Sequence, residues 1–339
     1  MSDILLWGAG NTSKLFIRLI DMRKNRILGI VDNKAEGYFG DYAIVSPEEA
    51  LKISYDLLIV CSIADVEILW QCHELGLEHC YSYQDKEDIF YRCPDLFIDP
   101  NGVIEHERQY KRDVKLRSLS MEQLWSNVFH DTVSAYDWFK VKSLSLGRSA
   151  IGYNFAYVMS RILQSMHPKN ILELGLGQSS KILNSYFQYY KKEGMVYDIV
   201  EHDHSWADFF REEVSMEDVG LHFNEISMCQ EYNDQFYRYE DLDEVLEGKR
   251  YHFISIDAPF GYKGNYIGRT DLIKYIPNIL EDDWVIMLDD YERIQEKNAM
   301  LLLERQLKKE YVTYHKGIYN GQKDVCILTS ENWKFLITL

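Results

Sequence analysis

Two strand–turn–helix openings with glycine-rich turns, a run of short strands that each end in an acidic residue, and a closing pair of strands around a glycine-containing turn predict an α/β protein. The pattern is that of two tandem Rossmann-like domains joined by a helical connector. The expected boundaries are 1–95 for the first domain, 96–166 for the connector and 167–339 for the second domain, which counts seven strands. A chain of 339 residues is itself long enough to favour two domains over one.

Composition narrows the class. With 46% hydrophobic and 27% charged residues the chain has the makeup of a soluble globular protein. Apolar runs such as 57–61 fall far short of the ~20 residues of a membrane helix, so no span is expected. The sequence passes from Met1-Ser2-Asp3 directly into a strand, with no basic region or cleavage site, and the expected location is the cytoplasm. A net charge of −17 argues against a nucleic-acid partner, since phosphates need a basic face, and reads as ordinary solubility. The six cysteines contain no CxxC pair; they read as reduced and buried, not as a zinc site.

The first domain opens with a strand at 4–7, a turn Gly8-Ala9-Gly10-Asn11-Thr12-Ser13 and a helix at 14–22. A second strand at 26–31 ends in Asp32, 24 residues after Gly8, near the spacing at which a carboxylate meets a ribose hydroxyl. Ser13 stands where a third glycine is usual, small enough for close helix–strand packing. A further strand covers 55–61. The candidate nucleotide contacts are Gly8, Gly10, Asn11 and Asp32, with a packing or dimerisation role as the alternative.

The connector is rich in aromatic and charged residues, with helices expected near 121–129 and 153–164. Within it, residues 145–153, with Gly147, Arg148 and Gly152, read as a helix-to-helix turn or as a hinge-bound lid.

The second domain places strands at 170–174, 195–200, 221–226, 251–256 and 283–288, then a helix at 292–309 and two strands at 311–315 and 324–329. Ligands of open α/β sheets bind beyond the carboxyl ends of the strands. Glu173, the turn Gly175-Leu176-Gly177-Gln178-Ser179-Ser180, the stretch Glu201-His202-Asp203-His204, Asp257 and the pair Asp289-Asp290 should therefore face one crevice.

Seven strands with a closing hairpin resemble the plan of class I S-adenosylmethionine (SAM) dependent methyltransferases. That resemblance implies SAM as cofactor. Gly175 and Gly177 would let the backbone approach it, with Glu173, Ser179, Ser180 and Asp203 around it. Glu201, 26 residues beyond Gly175, would accept both ribose hydroxyls. The stretches 256–262, Gly268-Arg269 and Glu201-His202-Asp203-His204-Ser205-Trp206 resemble the glucuronoxylan 4-O-methyltransferase family over roughly 170–293. Gly8-Ala9-Gly10, Val31-Asp32-Asn33 and Ser46-Pro47-Glu48-Glu49 resemble small nucleotide-binding modules of polysaccharide-assembly enzymes. Together they imply methylation of a sugar or polysaccharide hydroxyl, with a glycan or sugar nucleotide as partner, and leave a homo-oligomer open. The alternatives are a methyltransferase for a non-sugar small molecule and a nucleotide-binding scaffold with an inactive methyltransferase fold.

For the chemistry, Asp257 is the first candidate, as general base or as metal ligand. Asp257, Asp289 and Asp290 resemble the magnesium site of catechol-type O-methyltransferases, an oxygen-ligand set suited to a hard divalent cation such as Mg²⁺. The alternative is that Asp290 caps the helix beginning near Glu292. Arg269 reads as a clamp for a substrate carboxylate or phosphate, or as half of a surface ion pair. Trp206 reads as an adenine-stacking or core aromatic, His202, His204 and His252 as structural, and Tyr262 and Tyr266 as loop aromatics suited to a sugar face.

Overall fold

The computed structural model describes residues 1–339, apart from the side chain of Tyr262. The chain divides into two compact units, Met1–Val114 and Lys115–Leu339.

The first unit comprises β1 (Ser2–Trp7), α1 (Asn11–Ile17), β2 (Asn25–Val31), β3 (Tyr38–Phe39), β4 (Tyr42–Val45), α2 (Pro47–Ala50), β5 (Leu57–Val60), α3 (Asp65–Leu75), β6 (Cys80–Ser82) and α4 (Lys86–Arg92). Its six strands run in the order β3-β4-β2-β1-β5-β6, all pairs parallel except β3 with β4. Ile4, Leu5 and Leu6 of β1 are all buried, as a strand covered on both faces requires. Helix α1 is shorter than the 14–22 expected. The chain leaves it because Asp21 N donates to Leu96 O and Ile20 bridges Phe97. The segments from β3 to α2, and β6, are too short to carry a periodicity.

Helix α5 (Pro100–Val133) is far longer than the expected 121–129, and the division between the units falls inside it. No glycine or proline interrupts residues 103–146, while most of 105–120 is exposed and so carries no apolar stripe. The expected connector is accordingly split, and its residues 115–166 belong to the second unit.

The second unit continues with α6 (Tyr153–Met166), β7 (Asn170–Leu174), α7 (Gln178–Tyr190), β8 (Val196–Glu201), α8 (His204–Glu213), β9 (Gly220–Phe223), β10 (Ile226–Glu231), β11 (Asp234–Tyr239), α9 (Leu242–Leu246), β12 (Tyr251–Ile256), β13 (Leu280–Leu288), α10 (Ile294–Lys309), β14 (His315–Tyr319) and β15 (Val325–Thr329). Seven strands run in the order β14-β15-β13-β12-β7-β8-β9, five of them in parallel sequence from β13 to β9. β15 is antiparallel to both β13 and β14. This is the seven-stranded α/β plan with a closing hairpin that the sequence predicts.

Period-two alternation sorts the core of this unit into two layers. Phe253 of β12 joins Phe129, Trp138, Phe155, Leu183 and Val285 on the face covered by α6 and α7. Ile254 joins Leu174, Val200, Ile286, Leu303 and Leu307 on the face covered by α9 and α10.

Among the boundaries that differ from expectation, three change how the chain runs. The strand expected at 221–226 stops at Phe223, and a separate hairpin, β10 with β11, follows it. The strand expected at 311–315 begins at His315. Residue Tyr311 takes φ 57, and Val312 N returns to Leu307 O to close the helix end. Helix α10 starts at Ile294 with Arg293 as its N-cap, so Asp290 is not its cap. Among the described residues, no helix is both long and apolar enough to cross a membrane.

Candidate active site

Strand register builds the site. Leu174 pairs with Val200 and with Ile256, and Ile256 pairs with Leu288. The next residue on each strand, Gly175, Glu201, Asp257 and Asp289, therefore stands in one row along the carboxyl edge of the sheet. Three amides fix the row: Gly175 N donates to Val200 O at 2.9 Å, Asp257 N to Leu174 O at 3.0 Å, and Asp289 N to Ile256 O at 3.1 Å.

A cavity of about 500 Å³ opens over this row, within the usual size of a small-molecule site. Gly175, Leu176, Gly177, Glu201, His202, Asp203 and Trp206 line one half. Asp257, Ala258, Pro259, Phe260, Arg269, Asp290, Arg293 and Lys323 line the other, and Arg148 and Ser149 border it from the 145–153 segment. That segment is a closed turn, with Gly147 N donating to Ile151 O at 2.9 Å.

Gly175 is required by conformation and by space. Its φ is 98°, and a Cβ there would lie 2.7 Å from the Ala258 Cβ. Gly177 is the N-cap of α7, and its amide donates to the Ser180 hydroxyl at 2.9 Å.

Glu201 is buried and already has partners. Its Oε1 accepts from the amides of His202 at 2.7 Å and Asp203 at 2.9 Å, and its Oε2 accepts from Leu176 N at 2.9 Å. Of the two oxygens that the expected bidentate grip on the ribose would use, Oε2, with a single amide donor, is the freer acceptor. Burial works to raise this carboxyl, but His202 and the three amides outweigh it and hold it below the usual range. His202, whose Nδ1 lies 2.9 Å from Oε1, is raised in turn by the carboxylate. Asp203 caps α8 by accepting from Trp206 N, and Trp206 Nε1 donates to Leu176 O at 2.7 Å. Trp206 is a wall of the cavity, not a core residue.

Glu173, Ser179 and Ser180 do not line the cavity. All three are buried beneath the turn, where Tyr197 Oη donates to Glu173 Oε2 at 2.5 Å and both serine hydroxyls face the same carboxyl. They brace the turn from below. Burial pushes the Glu173 carboxyl up to about 7 from its ordinary 4.5. Between those values the unfolded chain has released this proton and the folded chain still holds it, so stability falls as pH rises from about 4.5 to about 7. Glu173→Gln is expected to flatten that part of the stability–pH curve, measured by urea denaturation at several pH values; an unchanged slope would place the pH dependence elsewhere.

At the other half, Asp257, Asp289 and Asp290 offer carboxylate oxygens within 4.8 Å of one another. Fixed cations are interleaved with them. Arg269 Nη2 lies 3.1 Å from Asp257 and 3.0 Å from Asp290, and Arg293 Nη1 lies 2.8 Å from Asp290. Lys323 Nζ lies 2.9 Å from Asp290 Oδ1 and 3.3 Å from Asp289 Oδ2. Burial raises Asp257 above the usual carboxylate range against the pull of Arg269, and raises Asp289 further with Asp257 as neighbour. Asp290 goes the other way: Arg269 and Lys323 outweigh its burial and hold it low.

Arg269 is no surface residue. It is 7% exposed, sits at φ 51°, and donates Nη1 to Asp289 O at 3.1 Å and Nε to Pro259 O at 3.3 Å. Its guanidinium organises the protein's own acids, which leaves no free fork for a substrate carboxylate or phosphate. The hairpin β10–β11 and α10 hold the loop that carries it: Asp234 accepts from the amides of Tyr266 and Ile267, and Asn298 donates to Tyr266 O. Tyr262, expected in this loop as a sugar-facing aromatic, has its side chain outside the described residues.

Lys323, Arg293 and Phe260 were not singled out from the sequence. A lysine in the turn between the last two strands has no local signature; only the antiparallel return of β15 brings it to this edge.

In the first unit, Gly8 takes φ 116°, and a Cβ there would lie 2.8 Å from Cys61 O. Ser13 Oγ donates to Gly8 O. Asp32 accepts from the amides of Ala9, Lys34 and Ala35 at 2.8 to 2.9 Å, so its carboxylate mainly shapes its own turn. A cavity of about 520 Å³ borders Asp32 and Ser46 but is not lined by Gly8, Gly10 or Asn11. Asp32 Oδ1 accepts from two of these amides and Oδ2 from one, so most of its acceptor capacity serves the loop.

The family model described as "C2185-like, N-terminal" matches residues 1–80. No curated protein matches the chain. Among solved structures, an O-methyltransferase from Bacillus cereus in complex with SAH is 13% identical, covers 64% of this chain and all of its own, and gives a TM-score of 0.39. The O-methyltransferase TomG from Streptomyces achromogenes, involved in tomaymycin synthesis and in complex with SAM, is 13% identical over 64% of this chain and 98% of its own, at 0.38. The methyltransferase FkbM from Methylobacillus flagellatus KT is 10% identical over 97% of this chain and 90% of its own, at 0.35. Likenesses this distant carry no weight beside the strand order and register, which themselves give the second unit its seven-stranded α/β fold of methyltransferase plan.

Proposed function

We propose that the chain is a SAM-dependent O-methyltransferase acting on a sugar or glycan hydroxyl. The carrying observation is the row of strand ends: it puts a nucleoside-type carboxylate, Glu201, and a partly buried carboxyl raised above the usual range by desolvation, Asp257, in the two halves of one cavity. The residues present suit a nucleoside with a charged amino-acid tail. Gly175 and Gly177 expose backbone, Glu201 Oε2 keeps an acceptor position, and Trp206 offers a ring face.

When bound, SAM supplies an electrophilic methyl group. The rest falls to the chain. A hydroxyl is a poor nucleophile, so it must be held in line and relieved of its proton. Asp257 is placed for that transfer: burial makes it a stronger base than an exposed aspartate, and Arg269, 3.1 Å away, fixes its orientation. Phe260 lines the same half, and Tyr266 is exposed on the adjoining loop; such rings pack against sugar faces.

Calorimetric titration with S-adenosylhomocysteine (SAH) tests the cofactor half. Glu201→Ala is expected to weaken binding by ~1–3 kcal/mol, the range for a buried polar partner left unmet. Absence of SAH binding to the unsubstituted protein would sink the reading. A screen of uronic acids, neutral glycosides and catechols with radiolabelled SAM tests the acceptor class, and transfer to catechols alone would replace the sugar reading.

A further inference from the structure

We infer that Lys323 occupies, with its own ammonium, the place a divalent cation would take among Asp257, Asp289 and Asp290, so that this site carries a built-in cation and excludes a metal ion. A hard divalent cation needs oxygen ligands whose charge is available to it. Here Lys323 Nζ already bridges Asp290 Oδ1 at 2.9 Å and Asp289 Oδ2 at 3.3 Å, and Arg269 Nη2 bridges Asp257 and Asp290. A second cation among the same oxygens would sit against two like charges in a buried setting, where repulsion is least screened. The three carboxylates therefore do not fit a metal as they stand.

The lysine is not a pendant group that happens to point inward. Its carbonyl accepts from the buried Asn154 Nδ2 at 2.7 Å. The next residue is held twice, Asp324 N donating to Glu292 Oε2 at 2.8 Å and Asp324 O accepting from Tyr291 N at 2.8 Å. The turn that carries Lys323 is thus fixed on both sides, and its side chain is 12% exposed, facing the cavity beside Asp257. On the methyltransferase reading, the ammonium would hold the acceptor oxygen and steady the negative charge that develops there as Asp257 takes the proton. The exclusion of a metal stands without that reading.

The test uses the full chain and Mn²⁺ alone, followed by loss of the free-ion electron paramagnetic resonance signal. The unsubstituted protein is expected to bind no Mn²⁺ at this cluster. Lys323→Met, which keeps an unbranched side chain one atom shorter and removes the charge, is expected to gain a Mn²⁺ site that a further Asp257→Asn removes, whereas Lys323→Arg gains none. Thermal melting confirms that each variant is folded. Mn²⁺ binding by the unsubstituted protein that Asp257→Asn abolishes would overturn the inference, as would a folded Lys323→Met variant that binds no better than the parent. SAH titration of the same samples reports on the cofactor half separately, so failure of one reading is told apart from failure of the other.

Discussion

Asp257→Asn is expected to slow methyl transfer by ~100 to 10,000 fold, the span over which a positioned general base contributes, while SAH affinity is unchanged. Asparagine keeps the size of the side chain and an oxygen for Arg269, 3.1 Å away in the parent, so the geometry should survive. What it loses is the ability to take a proton. The parent's transfer rate should also rise as pH passes upward through the pKa of Asp257, which burial sets above the ordinary carboxylate value. The variant should lack that limb. Full activity in Asp257→Asn, measured with any acceptor from the screen, would mean that the catalytic centre lies on another strand.

Arg269→Leu is expected to lower folding stability by ~3–5 kcal/mol, the cost of removing one partner from a buried ion cluster. Arg269 reaches Asp257, Asp290 and Glu296 together, at 3.1, 3.0 and 3.5 Å. Glu296 is wholly buried and its carboxyl is pushed up to about 7, chiefly by burial, with Arg269 as the leading opposing influence. Without the guanidinium these groups must take up protons or water. Arg269→Lys should recover only part of the loss, because an ammonium cannot also serve Asp289 O and Pro259 O in the fixed planar geometry of the fork. Urea midpoints at constant m-value give the measurement. An unchanged midpoint for Arg269→Leu would show that Arg293 and Lys323 suffice to neutralise the cluster.

The two variants separate what this site does from what it holds together. Both residues line the cavity, but Asp257 is partly open to it and can be changed at the level of chemistry, whereas Arg269 is 7% exposed and sets whether the acids can be buried at all.

Much of the second unit was legible in the order of the residues. Short apolar strands ending in Gly175, Glu201, Asp257 and Asp289 announce a parallel sheet with its crevice at the carboxyl edge, because strand ends, turns and acids follow one another locally in the chain. Gly175 was legible too, since a strand-to-helix turn that crosses so close to Ala258 admits no side chain. Helix α5 was not, because an exposed helix buries no stripe that would mark its period.

Roles were harder to read than positions. Glu173 and Ser180 stand in the glycine-turn motif exactly where a cofactor contact is expected, yet Tyr197 from the neighbouring strand draws Glu173 under the turn. Arg269 reads as a substrate clamp or as half of a surface ion pair until the loop is folded back by Asp234 and Asn298 and its guanidinium meets three acids. Lys323 lies 66 residues from Asp257 in the chain and 33 from Asp290, and the two sides meet only through the antiparallel return of β15 against β13. Local sequence fixes which groups stand at the ends of strands, since backbone hydrogen bonding and side-chain alternation act over a few residues. Which charges neutralise one another is decided by long-range packing, because the energy of a buried ion depends on every charge within a few ångströms of it, from whatever part of the chain that charge arrives.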